Sequence, residues 1–337
     1  MSAGPGNHAA RPAAAPERRT LASSAIAILG FGNQGEAQAL NLRDGGFDVR
    51  IGLRLGGAAE QRARTLGFQV DPLEVAIAGA DVAAVLLPDE VIVARWSELA
   101  RHARPDASFV FAHGFALLDA EIRFPAAADV VLASPTGPGR VLRERYTTGE
   151  GLPTYIAVHQ DGTGGAWELA AAWAAGIGCP PERQWKTTVA EETEVDLFGE
   201  QTVLCGGLDA LLRAAFETLV SRGYSPEIAY LEVVHQLKYM ADLIHDRGLH
   251  GLRMNISRTA FYGGLTRGAR VIGQDSRVAM EEALDQIRSG AFAREWLAEA
   301  EAGRPTIKKA EEEGRHHPIE QARRNALGLP PESDDEH

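Results

Sequence analysis

The chain has few of the features that mark nucleic-acid-binding, membrane-spanning or disulfide-stabilised proteins. Its 34 Lys and Arg residues are outnumbered by 46 Asp and Glu residues. The resulting net charge of −12 argues against a nucleic-acid partner, and no apolar run is long enough to cross a bilayer. There are two cysteines, Cys179 and Cys205, in apolar surroundings without metal-ligand spacing. We therefore expect buried, reduced thiols in a cytoplasmic protein without a membrane partner.

The ends of the chain differ in composition from its interior. Residues 1–23 are rich in Ala, Pro, Gly and Arg and lack the apolar segment of a signal peptide, which predicts a disordered tail. Residues 328–337 predict an acidic, solvated tail. The full length of 337 residues is too great for one ordinary core. We expect two domains, at 24–188 and 189–327, and find no internal repeat.

Two patterns of hydrophobic residues follow one another along the chain. The first half alternates short β-rich runs with helical segments, which indicates a doubly wound parallel sheet of the Rossmann type. Its predicted strands are 25–29, 48–52, 83–87, 108–112 and 130–134, and its predicted helices are 35–44, 60–66 and 91–100. The second half predicts only helices, at 190–218, 225–246, 255–263, 276–289 and 291–300. The predicted fold class is therefore α/β followed by an all-helical C-terminal domain.

A glycine-rich turn follows the first predicted strand. It consists of Gly30, Phe31, Gly32, Asn33, Gln34 and Gly35. In such a turn the first glycine permits a tight bend, the second lets a pyrophosphate approach the backbone, and the third allows close packing of helix on strand. The N-terminus of the next helix offers free amides to the phosphates. Because the motif lies at the first strand–helix junction, it predicts a dinucleotide site.

The end of the second strand bears on the choice between NADPH and NADH. No acid stands there to bind a ribose diol. Arg54 ends the strand, with Arg62 nearby, and an arginine in this place suits a 2′-phosphate. Glu60 would oppose a phosphate. On these residues the sequence favours NADPH, with NADH as the alternative.

Two acid-bearing segments stand out in the helical half. Asp196 and Glu200 are four residues apart and therefore lie on one helix face, among apolar residues. Glu232 has Gln236, not an acid, at its own i+4 position. Carboxylates in such pairs on packed helices form divalent-cation sites from hard oxygen ligands. A solvated helix face is the alternative for either pair taken alone.

Several short motifs resemble ketol-acid reductoisomerase in its short form, in one register over about residues 23–325. They include the glycine turn and seven further strings, at 39–44, 86–90, 111–115, 137–139, 196–201, 216–220 and 317–320. Members of that family shift an alkyl group within a 2-hydroxy-2-alkyl-3-keto acid with the help of two magnesium ions. They then reduce the rearranged 2-keto acid with NADPH at the same site.

The resemblance implies specific roles for residues of this chain. It makes Asp196 the ligand that bridges two metals, Glu200 a ligand of the first metal and Glu232 a catalytic ligand of the second. It places His113 beside nicotinamide and substrate, and Ser257 on the substrate carboxylate. It extends the cofactor site to three more residues, Pro88, Asp89 and Gly139. It also implies a homodimer, or a multimer of dimers, in which Asp196 and Glu200 of one subunit meet Glu232 and Ser257 of the partner.

Two departures from the family pattern fall on the chemistry. Thr136 stands at the place of a catalytic lysine, and Gln236 at the place of a metal-binding glutamate. One positive and one negative charge are lost together, so the formal charge of the site is unchanged. Smaller departures include Glu36 for a histidine and Gly57 and Ala59 for the hydroxyl residues of the phosphate loop. The last two weaken the case for NADPH.

The sequence leaves three functional hypotheses. The first is an NAD(P)H-dependent reductase of small 2-keto or imino acids with the alkyl shift impaired or lost, binding one magnesium ion or none. The second is a true ketol-acid reductoisomerase that tolerates both substitutions. The third is a non-catalytic homologue that binds nucleotide. Drift in a redundant copy is an alternative explanation of the substitutions.

Overall fold

The N-terminal unit is built on one eight-stranded sheet. A computed structural model describes residues 20–119 and 121–330, which divide into two compact units between Val189 and Ala190. The strands are β1 Ile26–Leu29, β2 Val49–Leu53, β3 Gln69–Pro72, β4 Val82–Val85, β5 Ser108–Phe111, β6 Val130–Pro135, β7 Thr154–Gln160 and β8 Gln184–Lys186. Their order is β3-β2-β1-β4-β5-β6-β7-β8, with all neighbours parallel except the antiparallel pair β6 and β7.

Helices cover both faces of this sheet. They are α1 Asn33–Asp44, α2 Ala58–Thr65, α3 Leu73–Ala78, α4 Asp89–Leu99, α5 Gly139–Thr147 and α6 Ala166–Gly176. Alternate strand residues point to opposite faces, so the buried side chains form two separate cores, one containing Trp173 and the other Trp96. The sequence did not predict β3, β7, β8, α3, α5 or α6. The antiparallel pairing of β7 with β6 was not indicated by the sequence either, in a sheet whose other neighbouring strands are parallel as predicted.

The described residues of the C-terminal unit form helices joined by short turns, with no strand. Its helices are α7 Val189–Gly199, α8 Gly206–Ser221, α9 Pro226–Tyr230, α10 Leu237–Met254, α11 Arg258–Val271, α12 Gln274–Arg288, α13 Ala291–Glu301, α14 Pro305–Arg315 and α15 Pro318–Leu327. Two π-helical segments, Glu200–Leu204 and Leu231–His235, interrupt helices that the sequence predicted as continuous. The small core of this unit is formed by Phe216, Ala229, Tyr230 and Ala322.

Two other predictions need correction. Leu21–Ser23, within the predicted N-terminal tail, form a short 3₁₀ helix in which Leu21 is buried. The rest of that tail, at 1–19, and residues 331–337 of the acidic tail lie outside the described residues. Cys179 is buried as expected, and burial raises the pKa of its thiol, whereas Cys205 is exposed. None of the described helices has the length and apolarity that crossing a membrane requires.

Candidate cofactor and active site

The glycine turn between β1 and α1 has the backbone geometry of a nucleotide-binding loop. Gly30 has φ +103°, and a Cβ there would lie 2.4 Å from the carbonyl oxygen of Leu86. A Cβ on Gly35 would lie 2.4 Å from the carbonyl oxygen of Gly30. A Cβ on Gly32 would meet no atom within 4 Å, so space is open where a pyrophosphate would approach. No side chain caps the N-terminus of α1, which leaves that end to a ligand.

The start of α5 packs directly on the glycine turn. A Cβ on Gly139 would lie 1.9 Å from the carbonyl oxygen of Asn33, so only glycine fits there. Gln34 Nε2 donates a hydrogen bond to the carbonyl oxygen of Gly137 at 3.0 Å. The loop that contains Thr136 is therefore held against the cofactor loop by this side-chain hydrogen bond and by the close approach of Gly139 to the main chain of Asn33. Pro88 and Asp89, at the start of α4, follow the neighbouring strand β4.

Two carboxylates accept hydrogen bonds from the loop after β2 and from the helix that follows it. Glu60 Oε2 accepts the N–H of Gly56 at 2.6 Å, and that hydrogen bond, with the one from Arg64, holds the pKa of Glu60 below its usual value. Arg62 binds Glu36 through two hydrogen bonds of 2.8 and 2.6 Å, which raise the pKa of its guanidinium. Arg54 is exposed. Gly57 and Ala59 carry no hydroxyl that could bind a phosphate.

His113 lies just after β5, at the carboxyl edge of the sheet, where ligands of this fold bind. Its Nδ1 accepts the N–H of Phe115 at 3.1 Å. A ring nitrogen that accepts a hydrogen bond carries no proton, so this contact holds Nδ1 as the acceptor. Nδ1 is also 4.0 Å from Asp89 Oδ2. These two contacts of Nδ1 fix the orientation of the ring.

Thr136 cannot replace the lysine of the family pattern. Its Oγ1 donates to the carbonyl oxygen of Pro153 at 2.9 Å, and its N–H donates to the same oxygen at 3.0 Å. The only side-chain proton is therefore used in fixing the loop. The position supplies neither a cation nor a free proton donor.

In the helical unit, a third acid precedes the predicted pair. Glu192, Asp196 and Glu200 follow one another at intervals of four, and ligand oxygens of Glu192 and Asp196 lie within 4.8 Å of each other. Glu192 is buried, which is rare for a carboxylate. Glu192 was not among the acids predicted from the sequence, although the same i, i+4 spacing marks it.

Glu232 and Gln236 contact each other across the second π-helical segment. Gln236 Nε2 donates to Glu232 Oε2 at 2.7 Å. The amide nitrogen thus occupies one carboxylate oxygen, and the amide oxygen of Gln236 is a weaker metal ligand than a carboxylate. Among the described residues of one chain, Asp196, Glu200 and Glu232 do not form a group of three with ligand atoms within 4.8 Å of one another.

Ser257 is the N-cap of α11. Its Oγ accepts the N–H of Ala260 at 3.1 Å, which satisfies one unpaired amide of the first turn. The hydroxyl can still donate its proton. A donor at a helix N-terminus suits a carboxylate, and Arg258 begins the same helix.

A Rossmann sheet with an open glycine turn, followed by acid-bearing helices, defines a nicotinamide-dependent oxidoreductase. Two family descriptions match the chain, "Acetohydroxy acid isomeroreductase, NADPH-binding domain" over residues 20–182 and "Ketol-acid reductoisomerase, C-terminal domain" over 189–328. The chain therefore belongs to the ketol-acid reductoisomerase family. The resemblance stated from the motifs and the predicted fold class are both confirmed.

Individual relatives agree with this assignment. The chain is 46% identical over 301 residues to the NADP(+) ketol-acid reductoisomerase of Pyrobaculum arsenaticum, covering 89% of this chain and 92% of that protein. A solved NADH-preferring ketol-acid reductoisomerase from an uncultured archean is 36% identical with a TM-score of 0.89, covering 93% of this chain and 96% of that one. An NAD-binding semialdehyde dehydrogenase protein from Cupriavidus necator, at 21% identity and TM-score 0.60 over 78% of this chain and 98% of that one, shares the fold alone.

Proposed function

We propose that this protein is a ketol-acid reductoisomerase, which rearranges 2-acetolactate or a related 2-hydroxy-2-alkyl-3-keto acid and reduces the product to the dihydroxy acid. The observation that carries the proposal is the 46% identity to the Pyrobaculum arsenaticum enzyme over 92% of its length. Asp196, Glu200 and Glu232 also remain acids, as the reaction requires.

The glycine turn and two side chains, His113 and Ser257, have roles in this proposal besides the acids. The nicotinamide, when bound, supplies the hydride. The glycine turn holds its pyrophosphate against the open N-terminus of α1. His113, whose Nδ1 accepts the N–H of Phe115, is assigned to orient a substrate oxygen. Ser257 donates its hydroxyl to the substrate carboxylate.

The oxygen ligands of the site fit magnesium. They form two ion positions, which should differ in affinity. Asp196 and Glu200 offer two carboxylates for one ion, the ligand type that magnesium prefers. The second position has Glu232 and only the amide oxygen of Gln236. A bound ion there would have to displace the hydrogen bond between those two side chains. We therefore propose one firmly held magnesium ion and a second that requires a higher concentration.

For the cofactor we propose NADH rather than NADPH. Arg54 favoured NADPH in the sequence, but Arg62 is bound by Glu36 and Glu60 occupies a backbone amide of the same loop. A 2′-phosphate would meet two carboxylates and neither of the hydroxyl donors that Gly57 and Ala59 replace. The NADH-preferring relative supports this choice, and the NADP(+) relative opposes it.

The helical unit is proposed to form a dimer with a shared site. Its buried apolar core is small, while several large apolar side chains of the same unit are exposed. Leu204 and Met254 are each 67% exposed, and Tyr262 is 66% exposed. Exposed apolar area on this scale favours burial against a second copy. Within the described part of one chain, Asp196, Glu200 and Glu232 also do not form a group of three with ligand atoms within 4.8 Å of one another, which is compatible with a site that takes acids from two subunits.

A second candidate function is a reductase of pre-formed 2-keto acids that has lost the alkyl shift. Two observations favour it. The hydroxyl of Thr136 is held by Pro153, and Gln236 is paired with Glu232. Hydride transfer needs a bound donor and a polarised carbonyl, which makes smaller demands on charge than the alkyl shift.

One experiment separates the two candidates. Purified protein is given NADH and magnesium with either 2-acetolactate or its rearranged 2-keto acid, and NADH oxidation is followed at 340 nm (the wavelength at which reduced nicotinamide absorbs). Turnover of both substrates supports the isomeroreductase. Turnover of the rearranged acid alone supports the reductase. If neither is reduced while NADH still binds, the protein is a nucleotide-binding homologue.

A further inference from the structure

The two acid-bearing segments of the helical unit share an unusual backbone feature. Glu200 is the first residue of one π-helical segment and Glu232 is the second residue of the other. Such segments are rare, and they occur frequently at functional sites. Their coincidence with both predicted metal-ligand positions calls for a structural explanation.

The first segment contains a hydrogen bond of the i→i−5 type and is followed by two glycines. The N–H of Cys205 donates to the carbonyl oxygen of Glu200 at 2.9 Å, five residues back rather than four. A Cβ on Gly206 would lie 2.2 Å from the carbonyl oxygen of Gln201, and a Cβ on Gly207 would lie 2.0 Å from that of Thr202. No side chain fits at those distances. Adjacent glycines weaken an ordinary helix, so their presence here is explained by the π-helical segment.

The segment determines which way the acids face. Downstream, Phe216 on α8 is 1% exposed and belongs to the core of the unit, so the rotation of α8 about its axis is set. One extra residue in a helix rotates everything beyond it by about 100°. With α8 set by the core, the π-helical segment therefore sets the direction of Asp196 and Glu200. If the segment were an ordinary α-helix, the side chains of Asp196 and Glu200 would be rotated by about 100° relative to α8.

The second segment is related to the same core. Tyr230, the residue before it, is 6% exposed and packs in the cluster that contains Phe216. Tyr230 lies two residues before Glu232, so the core sets the direction of that acid directly, whereas Asp196 and Glu200 are oriented through the π-helical segment that precedes α8. Both acid-bearing π-helical segments are therefore continuous with helices anchored in one core.

We propose that Gly206 and Gly207 are positioning residues that maintain the first π-helical segment and so aim Asp196 and Glu200 at the cation. This inference rests on the proposed function, because it takes those acids to be metal ligands. The glycines touch no reacting atom. They act through the direction of the carboxylates.

The test measures cation binding directly, with Mn²⁺ as the probe and electron paramagnetic resonance of the free ion as the readout. Gly206→Ala should weaken Mn²⁺ binding by about 10- to 100-fold, the usual cost of losing a group that orients metal ligands. The affinity for NADH should change less than about twofold, because the glycine turn is untouched. Gly199→Ala is the matched control, since its Cβ would meet no atom within 4 Å and it lies in the preceding turn. The control should bind Mn²⁺ as the unmodified protein does.

Deletion of Cys205 provides a second variant in case Gly206→Ala unfolds. Removing one residue allows the segment to become an ordinary α-helix. The deletion should keep the helical circular dichroism and NADH binding but weaken Mn²⁺ binding. When Cys205 is deleted, Gly206→Ala should not weaken Mn²⁺ binding any further, because an α-helix accepts alanine.

The outcomes distinguish this inference from the proposed function. If the unmodified protein binds no Mn²⁺, the metal assignment itself fails. If it binds Mn²⁺ and both Gly206→Ala and the deletion bind it equally well, the positioning role is overturned. If Gly199→Ala weakens binding as much as Gly206→Ala, the effect belongs to any substitution in this helix and the positioning role is again overturned.

Discussion

At the scale of single residues, the ion pair between Glu36 and Arg62 is the contact most directly tied to cofactor choice. Glu36→Gln removes the carboxylate that holds the guanidinium at 2.6 Å and should leave Arg62 available to a 2′-phosphate. We expect kcat/KM for NADPH to rise relative to NADH by about tenfold, equivalent to roughly 1.4 kcal/mol. Steady-state kinetics with both cofactors measures the ratio.

Glu98→Gln is the control for that prediction. Glu98 also pairs with an arginine, Arg95, at 3.6 Å, but it lies near the C-terminal end of α4 and away from the glycine turn. Its substitution should leave the cofactor ratio unchanged. An unchanged ratio in Glu36→Gln as well would show that this ion pair does not govern the choice.

Thr136 and Gln236 give a second prediction at this scale. Thr136→Lys with Gln236→Glu should raise the rate of 2-acetolactate turnover by more than the two single changes combined, because in the proposed reaction both groups act on one developing charge. A well-placed charged donor contributes about 10²-fold to such a step. Reduction of the rearranged 2-keto acid should change much less. Equal gains for both substrates would place the effect on substrate binding and not on the alkyl shift.

At the scale of secondary-structure elements, the contact between α5 and the glycine turn makes Gly139 critical. Gly139→Ala would place a Cβ 1.9 Å from the carbonyl oxygen of Asn33 and should push α5 away from α1. We expect a loss of about 1–3 kcal/mol in the free energy of unfolding, as for other overpacked sites, together with weaker NADH binding. Thermal denaturation and a fluorescence titration of NADH measure the two effects.

Gly79→Ala is the comparison for Gly139. Gly79 follows α3, has an ordinary negative φ of −88°, and an added Cβ would approach no atom closer than 3.4 Å. The Gly79→Ala variant should therefore bind NADH as the unmodified protein does. If Gly139→Ala also does so, the packing of α5 on the turn does not control the cofactor site.

At the scale of the whole molecule, the shared site can be tested by mixing inactive variants. If Asp196 of one subunit works with Glu232 of the partner, Asp196→Asn and Glu232→Gln should each be inactive. Subunit exchange in an equal mixture should restore about one quarter of the normal activity, because half of the dimers are mixed and each has one intact site. Activity is followed with 2-acetolactate and NADH.

Two results would contradict the shared site. One is a monomer by light scattering at micromolar concentration. The other is a mixture that exchanges subunits, shown by mass spectrometry of tagged chains, but stays inactive. Either would mean that one chain supplies all the acids of its own site.

The sequence by itself determined the Rossmann class, the glycine turn and the positions of the acids. These features depend on local periodicity and on residues a few positions apart, which a single chain displays directly. It did not indicate the antiparallel β7, because strand order depends on pairing between distant segments. It also predicted 190–218 as one helix, because a single extra residue in a turn barely alters hydrophobic periodicity.

Only the tertiary structure decided how the candidate site is arranged. Glu36 and Arg62 are 26 residues apart in sequence, and Thr136 and Pro153 are 17 apart. No spacing rule joins such residues, so their hydrogen bonds appear only once the chain is folded. The rotation of Asp196 and Glu200 relative to Phe216 likewise follows from core packing and the π-helical segment. Composition and motif identify which groups the chemistry can use, and long-range packing decides which of them are available and where they point.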